Sequence, residues 1–527
     1  MSGHTRIGEM RTKNTFLNAL ANSGSYIVNL ILSFVARTIF IRVLSQEYLG
    51  VQGLFGNILS VLSLAELGIG TAMIYHMYGP IAREDEKEIT ELMNLYRKLY
   101  SYVAGFITVA GLCLVPFLKY FIADDPGISG LTGIYLLYLL NTVVSYLWGY
   151  KRALIDGHQK GYISTLYVTA FMTIQFIAQI IVLLVFENFI IYLLMQIICN
   201  ILTNLSIAWK CNRMYPYLKK DRKSLPSKET QKSIFKNVSA MFMHKLGDVM
   251  VNNTDSLIIS AFVGLVTVGI FDNYRMLLGS VNTAINGILG SFVASIGNLS
   301  VTDDKERVFH IYKTLNFIGF WIHSYAAVTF LVMFNPFIEV WAGKDYLFPM
   351  SVVFLIVLNF YMSGMRKVTL NFRDAMGLYW YDRYKPIFEV IVNLVVSIVL
   401  VIKYGLVGVL IGTFVSTAGV CFWVEALVTY KHGFEKSVSH YFKMFSIYTA
   451  SAVAVGGFTY FVCSFIVMGG LLEIFLKLVV CTAMYNILLM LLYGRTVEYK
   501  EFMEKLIGLI EGRMGRELTG LRKVLMR

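Results

Sequence analysis

The sequence predicts an all-α polytopic membrane protein of about fourteen transmembrane helices, built as two six-helix lobes related by a pseudo-two-fold axis plus two extra C-terminal helices. Three observations predict it. Only 15% of the 527 residues are charged and 57% are hydrophobic, whereas soluble domains devote about 25% to Asp, Glu, Lys and Arg. Apolar stretches of span length, about 20 residues, recur along the whole chain. Lys and Arg collect in alternate connections between those stretches.

Breaks at charged or turn-rich segments delimit spans at 14–41, 49–77, 93–117, 128–150, 162–186, 188–209, 237–263, 266–297, 311–334, 348–365, 386–403, 406–429, 443–468 and 471–493. The 5/6, 11/12 and 13/14 junctions are very short. A spanning helix satisfies its own backbone hydrogen bonds, and a chain with only 8 prolines suits that solution. The alternating ten-residue segments of a membrane β-barrel do not occur.

An even span count places both termini on one side, and the positive-inside rule makes that side the cytoplasm. With that orientation 38 of the 46 Lys and Arg residues fall in inside segments, and only Arg42, Lys119, Lys344 and Lys403 fall outside. The net charge of +13 is thereby explained by topology and by contact with anionic headgroups, so no nucleic-acid partner is expected. The six cysteines lack CxxC spacing and read as small buried apolar residues, with no metal site or disulfide framework. The first 13 residues are polar and basic and the first apolar stretch is span-length, which is not the pattern of a cleavable signal peptide.

The longest internal break, Lys210–Lys236, divides six spans from eight, and the sequence repeats weakly across it. Lys13-Asn14 opens span 1 and Lys236-Asn237 opens span 7. "YLGVQGLF" from Tyr48 answers "TVGIFDNY" from Thr267, and "DEKEITELMNLYRKL" from Asp85 answers "DDKERVFHIYKTL" from Asp303. "NTVVS" from Asn141 answers "NFYMS" from Asn359. The expected organisation is an N-lobe at 1–209, a basic cytoplasmic loop at 210–236, a C-lobe at 237–430, appended spans at 431–493 and a cytoplasmic tail at 494–527. Six-span repeats share one orientation, which is the two-lobed transporter plan with its site between lobes.

Four helices carry polar residues at helical spacing, and they hold matching places in the two repeats. Span 1 presents Asn18, Asn22, Ser25, Asn29, Ser33 and Arg37; span 2 presents Gln52, Gly56, Ser63, Glu66 and Gly70. Span 7 presents Lys245, Asp248, Asn252 and Asp255; span 8 presents Asp272, Arg275, Gly279, Asn282 and Asn286. An ionised side chain at mid-membrane costs about 3 kcal/mol on insertion scales, so four such stripes point to a shared hydrated cavity. Glu66 lies about 16 Å from the end of its span at 1.5 Å per residue, with no basic residue in span 2 to pair with it.

Plainer readings stand beside this one. Asn and Ser can be interhelical hydrogen-bonding glue. Lys245 with Asp248, and Asp272 with Arg275, sit three apart and can neutralise one another, while Arg37 can snorkel to the headgroups. His323 reads as a hydrogen-bonded packing residue, Glu473 and Lys477 as a local ion pair, and Glu425 as interfacial. The tail from Arg495, with Phe502, Leu506, Leu509 and Ile510, reads either as an amphipathic helix on the inner membrane surface or as a solvated, frayed end.

No catalytic motif is found: GxxxxGK[ST], HExxH and GxSxG are all missing from the sequence. With neither a nucleotide-binding module nor a cofactor, energy is expected from an ion gradient, the membrane potential or the substrate's own gradient.

The 6+6+2 arrangement and its four polar stripes resemble the multidrug/oligosaccharidyl-lipid/polysaccharide (MOP) exporter superfamily. "RTIFIRVLSQEYLGVQGLF" from Arg37, "LAELGIGTAM" from Leu64 and "NNTDSLIISAFVG" from Asn252 resemble its polysaccharide-transport, Wzx-like branch. The resemblance implies a flippase that carries a polyprenyl-pyrophosphate-linked oligosaccharide from the inner to the outer leaflet of the cell membrane by alternating access. It also implies work alongside the glycosyltransferases and polymerase of a polysaccharide pathway. On this reading Arg37, Lys245 and Arg275 meet the pyrophosphate, and Asn22, Asn29, Asn252 and Asn282 meet glycan hydroxyls. Glu66, Asp248, Asp255 and Asp272 are the candidates for binding a coupling proton or sodium ion. The alternatives are a MATE-type drug antiporter and a peptidoglycan lipid-precursor flippase; a membrane glycosyltransferase would need a larger soluble loop.

Overall fold

In the computed structural model the described residues are 2–66, 68–123, 126–219, 221, 223–302 and 304–514. The side chains of residues 2–12 and of scattered positions in other helices, Lys245, Asp248 and Asn252 among them, lie outside the description. The described secondary structure is helical throughout. Among the described residues, thirteen helical segments are long and apolar enough to cross a membrane. The one expected span outside that set is span 7, 237–263, which lies on the 35-residue helix Lys228–Phe262; its polar stripe dilutes its hydrophobicity. The protein is thus a multi-pass α-helical membrane protein with about fourteen spans.

The chain forms two compact units, Met1–Ile270 and Phe271–Arg527. The first contains α1 (Ser2–Val43), α2 (Gln46–Leu62), α3 (Ile69–Ala82), α4 (Glu86–Leu114), α5 (Leu131–Gly157), α6 (Gly161–Phe186), α7 (Phe189–Met214), α8 (Lys228–Phe262) and the start of α9 (Leu265–Gly290). Span 7, which is α8, therefore packs with the first six, against α2 and α3. Its C-terminal end is tied down by Ser260, whose hydroxyl donates to Phe121 O at 2.5 Å, and by the Ala123 amide, which donates to Ser260 O at 3.1 Å.

Two repeat-related glycines meet in this unit. A Cβ on Gly50 would lie 2.1 Å from Leu265 O, and one on Gly269 would lie 2.8 Å from Gly50 N. The aligned segments "YLGVQGLF" and "TVGIFDNY" place these two glycines at equivalent positions. Only residues without a side chain allow the backbones to come this close.

The second unit continues α9 and adds α10 (Val293–Thr302), α11 (Lys305–Trp341), α12 (Met350–Ala375), α13 (Lys385–Tyr404), α14 (Leu406–Ser416), α15 (Phe422–Val428), α16 (Ser439–Ser464), α17 (Gly470–Tyr493) and α18 (Val497–Met514). Two π-helical stretches, Thr417–Cys421 and Thr429–Phe434, extend the span that holds α14 and α15. Helix α11 is the hub, with α12, α16, α17 and α18 packed around it. Tyr312, Phe317, Phe320, His323 and Phe334 on it are buried.

Repeat-equivalent residues perform equivalent jobs within each unit. Asn200 on α7 donates to Asn141 O and Oδ1 at 3.0 and 2.9 Å, joining spans 4 and 6. Asn359, which the repeat equates with Asn141, donates to Leu410 O at 3.0 Å and joins spans 10 and 12. Asp85, and Asp304 one position beyond the residue aligned with it, cap the helices that open spans 3 and 9, accepting from the amides of Lys87 and Glu88 and of Glu306 and Arg307.

Three expectations on secondary polar residues can be compared with the fold. Glu473 and Lys477 form the expected ion pair at 2.5 Å. His323 is a packing residue: it is fully buried, its Nδ1 lies 2.8 Å from Gly319 O, and a Cβ on Gly364 would lie 2.1 Å from its Cδ2. Glu425 is not interfacial. It is buried and forked by Arg366, with Nε to Oε2 at 2.8 Å and Nη2 to Oε1 at 2.7 Å, while the Lys385 ammonium bonds the same Oε1. The misplacement came from ending span 10 at residue 365, where α12 in fact continues for ten more residues and carries Arg366 inward.

The tail is neither frayed over its described length nor free of the protein. Helix α18 docks on α11 through Tyr499, Met503 and Ile507, which recur every four residues and are buried. Trp321 stacks on Tyr499 with ring centroids 5.7 Å apart, and Thr314 bonds Glu501 Oε2 at 2.5 Å. Leu506, expected on the apolar face, is exposed. The side chains of Leu509 and Ile510 lie outside the described residues.

Candidate transport path and coupling site

Span 2 is expected as one helix with a continuous polar face, but it is broken. Helix α2 ends at Leu62, a 3-10 turn covers Ser63–Glu66, and α3 restarts after Gly68, whose φ of 90° is one that glycine adopts without strain. Span 8 is broken too, between α9 and α10. Discontinuous helices expose backbone polar groups and suit the lining of a solute path.

At this break Glu66 finds its partners on α4. The Tyr100 hydroxyl donates to Glu66 Oε1, and the Tyr96 hydroxyl donates to the Tyr100 oxygen at 3.0 Å. The Tyr146 ring packs edge-on to Tyr100 at 5.6 Å. Gly70 leaves room for this cluster, since a Cβ there would lie 3.2 Å from the Tyr96 hydroxyl. Tyr96 and Tyr100 are buried, and Glu66 is half-buried. A carboxylate at the end of a two-hydroxyl chain can change occupancy while its donors stay in place. The sequence reading looked for a cation beside Glu66 and missed these tyrosines; the i, i+4 spacing of Tyr96 and Tyr100, which puts both on one face of α4, was the available signal.

The span 1 stripe divides by depth. Asn18 accepts from the Tyr162 amide at 2.6 Å and donates to Gln159 O at 3.0 Å. Asn22 accepts from the Thr165 hydroxyl at 3.0 Å, and Ser25 from the Thr169 hydroxyl at 2.6 Å. This half of the stripe stitches α1 to α6, which is the interhelical-glue reading. Asn22 is nonetheless exposed and Asn29, one turn beyond Ser25, is half-exposed. Arg37 is half-buried and donates from Nη1 to Gln52 Oε1 at 3.1 Å, so it is aimed at α2 and joins two stripes that the sequence identified separately.

On span 7, Asp255 is buried on α8; Lys245, Asp248 and Asn252 lie outside the described side chains. On span 8, Asp272, Arg275 and Asn282 are half-buried on α9, and the Arg275 guanidinium lies 5.8 Å from the Phe271 ring centre. The structure thus brings Arg37 to Gln52, and Glu66 to Tyr100.

The family model described as polysaccharide biosynthesis protein matches residues 13–294. No curated protein matches. Among solved structures, one of the lipid II flippase MurJ in an inward closed conformation aligns with TM-score 0.62 and 13% identity, over 91% of this chain and 99% of that one. An inward-facing multidrug-resistance MATE transporter of the MOP superfamily aligns with TM-score 0.58 and 15% identity, over 76% and 94%. A Vibrio cholerae MATE transporter aligns with TM-score 0.54 and 14% identity, over 82% and 98%. These identities speak to fold. With more than half of its length matched by the family model, the chain belongs to the polysaccharide biosynthesis protein family, on the fold of the MOP-superfamily exporters.

Proposed function

We propose that this protein is a flippase that moves a polyprenyl-pyrophosphate-linked oligosaccharide from the inner to the outer leaflet of the cell membrane, with both termini in the cytoplasm. One observation carries the reading. The polysaccharide-biosynthesis match over residues 13–294 contains the polar stripes of all four spans and every one of the candidate residues.

The chemistry of those spans fits the cargo. Arg37 and Arg275, with Lys245, supply positive charge for a pyrophosphate, and the guanidinium fork suits paired phosphate oxygens. Asn22, Asn29, Asn252 and Asn282 offer amides to sugar hydroxyls. Glu66 at the end of the Tyr96–Tyr100 chain is the favoured coupling carboxylate, with Asp248, Asp255 and Asp272 as further acidic groups; a charge that changes with occupancy biases a two-state equilibrium. The repeat-defined lobes, 1–209 and 237–430, are the bodies proposed to rock. Glycosyltransferases and a polymerase of the same pathway are the proposed working partners.

The test is flipping of a fluorescent lipid-linked oligosaccharide in vesicles reconstituted with the full chain. Wild-type protein is expected to make the inner-leaflet pool accessible to an external glycosidase, and Arg37→Ala and Arg275→Ala to slow this at least about tenfold, the loss of one charge-assisted bond. Full activity in both variants would remove the proposed path.

A further inference from the structure

A cavity of about 280 Å³ lies within the first unit, and none of the stripe residues lines it. Its walls come from α4, α5 and α7 and from the segment that follows α7. Asn94 and Arg97 contribute from α4, Trp148 and Lys151 from α5, Asn212 from α7, and Leu218 from the segment. The lining holds two cations, two amides and no carboxylate.

The cavity is built by other contacts. Lys151 bonds Asn212 Oδ1, which fixes its ammonium at the α5–α7 seam. Asn94 Nδ2 donates to Asp221 O and Ser224 O, both at 3.1 Å, and so clamps the connecting segment against α4. Asp221 Oδ1 in turn accepts from the Lys223 and Ser224 amides at 2.9 and 3.1 Å, which spends its charge on its own turn. Leu147, next to Trp148, also lines the cavity and is exposed on the outer surface of α5.

We infer that this cavity binds the phosphate headgroup of an anionic lipid, with Arg97 and Lys151 on the phosphate oxygens, Asn94 and Asn212 on the headgroup hydroxyls, and Leu147 with Trp148 against the start of the acyl chain. Its volume of about 280 Å³ is sufficient for a lipid headgroup and lies at the low end of the roughly 300–1,000 Å³ of drug-sized ligand sites. Its position agrees, because Arg97, Lys151 and Asn212 stand at the helix ends that the Lys/Arg distribution assigns to the cytoplasm. Basic recesses between spans on that side suit lipid phosphates. The cavity goes beyond the transport path proposed above and does not depend on it, and the connecting segment between the two repeats forms one of its walls.

Phosphodiester lipids and the polyprenyl pyrophosphate carrier share this chemistry, and native mass spectrometry of delipidated full-length protein separates them. Phosphatidylglycerol, phosphatidylcholine and a polyprenyl pyrophosphate are titrated separately. Phosphatidylglycerol is expected to outbind phosphatidylcholine several-fold, and Arg97→Gln/Lys151→Gln to lower its occupancy about tenfold. The control Arg83→Gln/Lys98→Gln, at cations outside the cavity, is expected to change nothing. The same loss confined to polyprenyl pyrophosphate would identify the carrier as the source of the phosphate. Should the double variant misfold, Asn212→Asp, which adds a carboxylate to the wall, is expected to give the same loss. Equal binding of the anionic and zwitterionic lipids, or unchanged occupancy in a folded variant, overturns the assignment.

Discussion

Tyr100 on α4 donates its hydroxyl hydrogen to Glu66 at the break in span 2. The relationship replaces the missing cation beside this acid with a neutral donor, itself supplied by Tyr96. In the function proposed above Glu66 is the coupling carboxylate. Glu66→Gln is therefore expected to keep the fold and lose the response of flipping to an imposed ion gradient. Tyr100→Phe is expected to retain part of that response and to lower stability by about 1–3 kcal/mol, because a half-buried acceptor and a buried hydroxyl both lose a partner. Flipping in vesicles with and without a proton or sodium gradient, alongside thermal unfolding in detergent, reads both effects. An undiminished gradient response in Glu66→Gln would remove Glu66 from the coupling role.

The buried cluster of Arg366, Glu425 and Lys385 holds α12, α13 and α15 together. Removing the one acid leaves two buried cations without their shared partner, and breaking a buried pair in this way costs about 3–5 kcal/mol. Glu425→Ala is expected to show that loss in thermal unfolding. Replacing the cluster together, as Arg366→Met with Glu425→Leu and Lys385→Met, is expected to cost clearly less than Glu425→Ala alone, since no buried charge is left behind. Equal losses in the two variants would mean that packing volume, and not charge, sets the stability of this site.

Much of the fold was legible because membrane helices write their length and orientation directly into hydropathy and charge. The repeat was legible at the same level. Asn141 and Asn359 were paired by alignment, and each joins the fourth span of its repeat to the sixth. What was not legible is whatever depends on a backbone leaving its regular path. The stripe through Gln52 and Glu66 assumed one uninterrupted 3.6-residue period, and the 3-10 turn at Ser63–Glu66 interrupts it. Polar partners on other helices are equally silent in the sequence. Asn18 and Asn22 look alike as stripe members, yet Thr165 and the Tyr162 amide on α6 decide that they also act as stitches. For Arg366 and Glu425 the obstacle was a boundary: a charged residue at a span end is read as solvated, while the structure buries both.

Two close approaches predict opposite responses to a second substitution. In Gly364→Ala the new methyl would meet the His323 ring, a side chain that can be trimmed. Overpacking of this kind costs about 1–3 kcal/mol, and His323→Ala is expected to suppress it in a double-mutant cycle. In Gly50→Ala the methyl would meet the backbone carbonyl of Leu265, so Leu265→Ala is expected to give no relief. Thermal unfolding of the four single variants and the two doubles measures the coupling. Suppression at Gly50 by Leu265→Ala would show that the start of α9 moves freely against α2.

The docking of α18 makes a final prediction about the tail. Tyr499 is buried against Trp321, and Trp321 Nε1 donates to Asn486 Oδ1 on α17 at 2.7 Å, so the tryptophan bridges α11, α17 and α18. Truncating a buried aromatic to alanine costs about 3–5 kcal/mol, and Tyr499→Ala is expected to show a loss of that order with α18 detached. Leu506→Ala, on the exposed side of the same helix, is expected to stay within about 0.5 kcal/mol of wild type. The fluorescence of Trp321, isolated by replacing the other tryptophans, should become more accessible to an aqueous quencher in Tyr499→Ala alone. If both variants behave alike, α18 is held by the membrane surface and not by α11, and the amphipathic tail first read from the sequence would be the better description.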